Sequence, residues 1–259
     1  MKSDFDIINY SFKEEIKLIA IADLHYGSKC FDSRKWKMIK EKIISTPDLY
    51  VVIIGDMIDN QTRNSHEPFD NTVRPMEQKL WLVKELVDIK DKILAIAPGN
   101  HENKKDNKSS DDNILFDVAY KLGIEDRYRD NMAFIKIQLG DRNEHYRQTY
   151  TFGITHGVGG GNLTGTSVNR NERFGMVFDG LDCLITAHSH KPALTKPSKI
   201  VIDSKNNVIS EKPFWQIIAT SFVNYGGYAL KGQLNPSSFM EQEITLKKEQ
   251  PKNLEIRIK

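Results

Sequence analysis

Five apolar runs of the chain each end in side chains that can ligate a metal or move a proton. "LIAIADLH" ends in Asp23 and His25, and "VVIIGDMID" in Asp56 and Asp59. "ILAIAPGNHE" ends in Asn100 and His101, "FGITHG" in His156, and "LITAHSH" in His188 and His190. Only two of the seven histidines, His66 and His145, lie elsewhere. In an extended chain residues two apart project from one face, so His188 and His190 are expected side by side, as are Asp23 and His25. A mixture of imidazole, carboxylate and amide suits borderline divalent cations, and the lack of cysteine in the set argues against a closed structural zinc site. Each fragment alone has a plainer reading: HxH as a hydrogen-bonded surface pair, DLH or GNH as ordinary turn chemistry. Their joint placement at run ends favours a pair of metal ions.

The elements that must position these groups follow from periodicity. Near-continuous apolar runs from Ile16, Leu49, Lys92, Tyr150, Leu181 and Phe214 suit strands buried on both faces. Helical spacing recurs between the early runs. One helix is capped at Asp32 or Ser33 and carries Trp36, Ile39 and Ile43 on one stripe. A second starts at Pro75 with a stripe through Met76, Leu80, Val83, Leu86 and Val87. A third is capped near Asp112 and stopped by Gly123. Hairpins are expected around Gly140 to Asn143 and within "KIVIDSKNNVIS", and "LEIRIK" alternates at the end. Alternating strands and helices imply a layered α/β domain, in which a site forms beyond the carboxyl ends of the strands. With no repeat and no clear linker, residues 1–259 are expected to form a single domain.

Lys and Arg number 37 against 35 Asp and Glu, a net charge of +2, so global charge neither argues for nor excludes a nucleic-acid partner. Two cysteines, Cys30 and Cys183, make no disulfide framework, which fits a cytoplasmic setting. The N-terminal apolar run is too short and too charged in front for a secretory signal. No stretch approaches the roughly 20 apolar residues of a membrane span.

The motifs DLH, GDMID, GNHE, THG and AHSH, spanning Asp23 to His190, resemble the series DxH, GDxxD, GNH[E/D], His, GHxH of the calcineurin-like metallophosphoesterases. The resemblance implies a two-sheet β-sandwich flanked by helices and two divalent metal ions. It assigns Asp23, His25 and His190 to one metal and Asn100, His156 and His188 to the other, with Asp56 bridging. His101 is then the non-ligand histidine beside the substrate and Asp59 its orienting partner. Manganese is the expected ion, with zinc, iron or magnesium as alternatives. Such a pair can hold a hydroxide that attacks phosphorus in line, with no protein nucleophile and no covalent phosphoenzyme.

This chain departs from the family pattern at three places. Ala187 stands where the family usually has glycine. Asn60 replaces the arginine that clamps phosphate in phosphoprotein phosphatases. The stretch after His156, "HGVGGGNLTG", is rich in glycine over residues 157–165 and is either a flexible loop or one that lets amides approach a phosphate. Basic clusters at "NKKDNK", "RYR" and "NRNER" are either solvated faces or polyanion contacts. Lys104, Arg170 and Arg173 are the substrate-binding candidates, and Tyr225 and Tyr228 either wall the cleft or pack internally. The glycine-rich stretch followed by "NRNERF" is similar to compact members carried by bacteria and their viruses. The repair-nuclease branch usually adds DNA-binding domains for which 259 residues leave little room. The expected activity is hydrolysis of phosphodiesters in a nucleotide, DNA or RNA. A small-molecule phosphomonoesterase and a non-catalytic protein-binding scaffold are the alternatives.

Overall fold

A computed structural model describes residues 5–62, 65, 71–103, 112–141, 147–249 and 251–259. In chain order the strands and helices are β1 (Ile7–Phe12), β2 (Ile16–Ile21), α1 (Ser33–Ser45), β3 (Leu49–Ile54), α2 (Pro75–Leu86), β4 (Ile93–Ala97) and α3 (Ile114–Leu122). There follow β5 (Met132–Leu139), β6 (Gln148–Thr155), α4 (Thr164–Gly175), β7 (Cys183–Thr186), β8 (Ala193–Thr195), β9 (Ser198–Asp203), β10 (Val208–Pro213) and β11 (Trp215–Ile218). The chain closes with α5 (Gly227–Lys231), β12 (Gln242–Leu246) and β13 (Leu254–Ile258).

Two sheets face each other. One runs β13-β12-β2-β3-β4 and the other β1-β5-β6-β7-β11-β8. Strand alternation explains the layers. In β2 and β3, Leu18, Val52 and Ile54 enter the core between the sheets, joined by Ile135, Ile137, Phe152, Ile154 and Ile185 from the opposite sheet. Their neighbours Ile19, Ile21, Val51 and Ile53 enter a second core beneath α1, α2 and α3. Both faces of these strands are therefore covered, which is why they read as unbroken apolar runs. The outer face of the second sheet is met by α4, where Asn171 Nδ2 donates to Thr186 Oγ1 and Gln216 Nε2 donates to the Asn171 carbonyl.

Helix α1 behaves as its sequence implies: Asp32 caps it through Arg34 N and Lys35 N, and Trp36, Ile39 and Ile43 are buried. Helix α2 differs. Its buried residues are Gln78, Leu82 and Leu86, while Met76, Leu80 and Val87 are exposed. A tertiary contact decides the face, because Gln78 turns inward to bond the chain at Asn60 and Val73. Helix α3 is capped by Asn113, one residue past the expected position, and ends on left-handed Gly123. The hairpins β5–β6 and β9–β10 form as expected, with residues 142–146 of the first outside the described region. Helices α4 and α5 and strands β1, β8 and β12 are not anticipated from the sequence. Helix α4 buries only Ser167 and Gly175, so it has no apolar stripe, and β1 is an edge strand paired only with β5. Among the described residues, no helix is long and apolar enough to cross a membrane.

Candidate metal centre

The loops that leave β2, β3, β6 and β7 are zipped together by backbone bonds at the carboxyl edge of the sheets. Asp23 N donates to Gly55 O at 3.1 Å, His25 N to Asp56 O at 2.9 Å, and Ala187 N to His156 O at 3.0 Å. The loops at Gly55 and Gly99 touch so closely that a Cβ at Gly55 would meet Gly99 N at 2.0 Å, and one at Gly99 would meet Asp56 Oδ1 at 2.2 Å. Only glycine fits at such a crossing.

The paired motifs do not lie on strand faces, which corrects the extended-chain expectation. Strand β2 stops at Ile21 and β7 at Thr186, ahead of both pairs. Asp23, His25, Asp56, His188 and His190 all take left-handed backbones, with φ of 51°, 49°, 50°, 70° and 54°. That conformation costs roughly 1–2 kcal/mol for an L-residue, and such strain gathers where structure around a functional site holds it. Its effect is to splay the His188/His190 pair, whereas Asp23 and His25 stay together in one cluster. His188 Nδ1 turns to His156 Nε2 at 3.2 Å, and His190 Nε2 turns to His25 Nε2 at 3.1 Å.

Two donor clusters correspond to the expected metal sets, and His25, Asp56 and His101 form a third close group. In the first, Asp23 Oδ1 lies 3.2 Å from His190 Nε2 and 3.8 Å from His25 Nε2. In the second, Asp56 Oδ2 lies 3.1 Å from His156 Nε2, while Asn100 Oδ1 lies 3.1 Å from that nitrogen and 2.8 Å from His188 Nδ1. Asp56 Oδ2 is also 3.8 Å from His25 Nε2, so one oxygen faces both clusters. The structure thus brings together all seven residues that the resemblance assigns to metal.

The donor chemistry fits divalent cations. His156 Nδ1 lies 2.7 Å from the Ile54 carbonyl, which places its proton there and leaves Nε2 with a lone pair facing Asp56 and Asn100 oxygens. Lone pairs pointed at one another repel unless a proton or cation lies between them. Asp23 Oδ1 is fully buried yet makes no hydrogen bond of good geometry, despite the two nearby imidazoles. A buried oxygen left without a hydrogen bond calls for another partner. Protonation states express the same demand. Burial opposes charge on His25, but Asp23, Asp59 and Asp56 outweigh it and raise the imidazole to about 10. Burial likewise opposes charge on His156, and Asp56 and Asp23 raise it to about 9. Burial would push the Asp23 and Asp56 carboxyls up, yet imidazoles hold both well below the usual range.

His101 packs edge-on to His25, with ring centroids 4.4 Å apart. Its Nδ1 is held by the Asp59 backbone carbonyl at 2.6 Å, while the Asp59 carboxylate lies 3.5 Å from His101 Nδ1 and 3.4 Å from His25 Nδ1. Asp59 therefore serves both rings, and its main chain makes the closer contact with His101. His101 Nε2 stands 4.0 Å from Asp56 Oδ2.

Residue types alone did not reveal the supporting contacts. Glu102 is fully buried and accepts the amides of Asp56, Met57 and Gly99 at 2.9, 2.7 and 3.0 Å, tying two ligand loops together. Asn60 Nδ2 donates to the His101 carbonyl at 2.8 Å, and Asn60 N donates to buried Gln78. The absent arginine is thus replaced by a residue that positions His101. The signal for Glu102 was the E of GNHE, an acid beside four loop amides; nothing in the local sequence links Gln78 to the site.

The substrate-contact candidates fare differently. Arg170 spends its guanidinium on the carbonyls of Val158, Gly159 and Gly160 rather than leaving it open. Arg173 lines a cleft of about 570 Å³ with Leu163, Thr166 and Asn169. Lys104 and the rest of "KKDNK" lie outside the described residues. The "RYR" cluster is no solvated face: Arg127 and buried Arg129 bond backbone carbonyls, among them Ile93 and Asp126. Tyr225 is exposed.

Among solved structures, a conserved protein from Streptococcus pneumoniae described as a predicted phosphoesterase is similar over 95% of this chain and 98% of its own, with 11% identity and a TM-score of 0.38. A metallophosphoesterase from Sphaerobacter thermophilus aligns over 94% of this chain and 88% of its own, again with 11% identity and a TM-score of 0.38. No curated protein matches the sequence. Residues 16–192, which carry both donor clusters, match the family model of the calcineurin-like phosphoesterases, and the chain belongs to that family.

Proposed function

We propose that this chain is a dinuclear metal-dependent phosphodiesterase acting on a nucleotide or nucleic acid, with manganese as its working ion. The observation that carries the reading is the pair of donor clusters, Asp23–His25–His190 with its orphaned Asp23 oxygen and Asp56–His156–His188, both faced by one Asp56 oxygen. Asp23, His25 and His190 would hold one ion, and Asn100, His156 and His188 the other. The metal pair, when bound, supplies Lewis acidity toward phosphoryl oxygens and a water of lowered pKa.

The chain's own groups do the rest. Asp56 keeps the clusters in register, since one oxygen faces both. His101, oriented through Nδ1 by the Asp59 carbonyl, offers Nε2 as the proton donor to the leaving oxygen. Asn60 holds the His101 backbone and leaves no arginine at the position where phosphoprotein phosphatases clamp a phosphate, which favours a diester over a phosphoprotein.

Bis(p-nitrophenyl) phosphate and p-nitrophenyl phosphate, compared with Mn²⁺, test the reading, with single- and double-stranded DNA as further substrates. Diester preference that disappears in Asp56→Asn supports it. Monoester preference points to a phosphomonoesterase, and no turnover with any divalent ion to a binding scaffold; either outcome would overturn it.

A further inference from the structure

The segment after His156 turns five consecutive carbonyls onto two cationic side chains. Arg170 donates to Val158 O at 2.6 Å, Gly159 O at 2.9 Å and Gly160 O at 3.3 Å. Lys191 Nζ donates to Gly161 O at 3.2 Å and also to Asn162 O. The two cations come from different places. Arg170 lies in α4, whereas Lys191 directly follows the cluster residue His190. The strap thus leaves one donor cluster at His156 and is pinned to the residue next to the other.

The Lys191 end of the clamp is buried, while strap residues 158–162 are exposed. Lys191 is only 7% exposed, unusual for a lysine, and burying an ammonium against carbonyls alone costs free energy that an exposed loop contact would not. Gly159 has a φ of +77°, and a Cβ there would come within 2.8 Å of the Arg170 guanidinium carbon. Gly160 has open space around the same position. A Cβ at Gly161 would likewise meet Thr166 Cγ2 at 2.8 Å, so Gly160 is the strap glycine that is free to change.

We infer that Lys191 is a positioning residue for phosphoester hydrolysis: it clamps the Gly161–Asn162 end of the strap and Arg170 the Val158–Gly160 end, so that the strap stands as a fixed wall of the site. This rests on the reading of the site given above. No strap side chain belongs to either donor cluster, so loosening it leaves the metal ligands in place and acts on how long substrate stays bound. The effect falls on KM more than on kcat.

Lys191→Met in the full chain, loaded with Mn²⁺, is the test. Limited proteolysis within residues 158–162 should speed up about tenfold, with two ions still bound per chain. KM for bis(p-nitrophenyl) phosphate should rise about tenfold while kcat stays within about threefold, and affinity for inorganic phosphate should fall in parallel. Lys191→Arg, which keeps the charge, should recover much of both. Gly159→Ala should reproduce the loosening from the Arg170 side and serves if Lys191→Met does not fold, while Gly160→Ala should change nothing. Unchanged proteolysis, unchanged phosphate affinity, or loss of bound metal would overturn the inference. A wild-type chain that turns over no ester sinks the enzymatic reading, yet the clamp stands if Lys191→Met still frees the strap and weakens phosphate binding.

Discussion

The Glu102 carboxylate accepts the amide of Asp56 at 2.9 Å while wholly buried, so the residue facing both donor clusters is held by an acid that is not itself a ligand. The same side chain takes Met57 N, Ile58 N and Gly99 N. Burial and the nearby Asp56 charge raise its pKa, and the amides work against that rise. Glu102→Gln keeps one oxygen but turns an NH₂ toward amides that need an acceptor. Metal affinity is expected to fall about 10- to 100-fold, as when an outer-shell partner is lost, and stability by about 1–3 kcal/mol for buried donors left unpaired. Metal titration and thermal unfolding of the variant check both.

Ala187 resolves differently from what a glycine-to-alanine change suggests. Its backbone is outside the left-handed region that His188 and His190 occupy, and its methyl is buried in the core between the sheets. Restoring glycine gains no conformational freedom that the site uses. Ala187→Gly is expected to lose about 1 kcal/mol through backbone entropy and one buried methyl and to leave metal content unchanged. Chemical denaturation beside metal analysis reads both quantities.

Runs of apolar residues made β2, β3, β4, β7 and β11 legible because they are largely covered on both faces, and β6 legible through Tyr150, Phe152 and Ile154, although its Thr149, Thr151 and Thr155 stay half-exposed. The polar residues at their ends were legible for a related reason: buried strands stop where the chain can carry imidazole and carboxylate. What stayed hidden depends on tertiary contact or rare backbone. The left-handed turns at His188 and His190 separate side chains that an extended reading sets together. Gln78, polar within an otherwise amphipathic helix, rotates α2 because Asn60 needs a partner. Helix α4 offers Thr, Gly, Ser and Asn in its first turns, all weak helix formers, so only its packing on β8 and β11 defines it.

Protons and metal ions compete for the same nitrogens. Without ions, His25 and His156 are raised to about 10 and about 9, because the carboxylates around them outweigh burial. Their folded values lie above the unfolded value near 6.5, so their contribution to stability is complete below that pH and is lost as pH rises through 9 to 10. A bound ion requires them deprotonated, so binding near neutrality releases protons and strengthens with pH by up to about tenfold per unit for each proton displaced. The Tm difference between loaded and chelated protein should therefore widen from pH 6 to pH 9. Calorimetric titration in buffers of different ionisation enthalpy should show net proton release, and a pH-independent affinity would contradict this account.

His101 sits where a ligand and a proton donor are hard to tell apart, since its Nε2 lies within 4.0 Å of Asp56 Oδ2 and its ring packs against His25. Its Nδ1 contact with the Asp59 carbonyl fixes the ring without needing a metal, whereas the lone pair of His156 faces two oxygens and does need one. His101→Ala should then retain two ions per chain, while His156→Ala should lose at least one. A general acid contributes about 10²- to 10⁴-fold, and that contribution shrinks when the leaving group departs without protonation. Turnover of His101→Ala should fall by about 10² or more with an alkyl or nucleoside leaving group, and much less with p-nitrophenolate. An equal loss with both leaving groups, together with loss of bound metal, would make His101 a ligand rather than the acid.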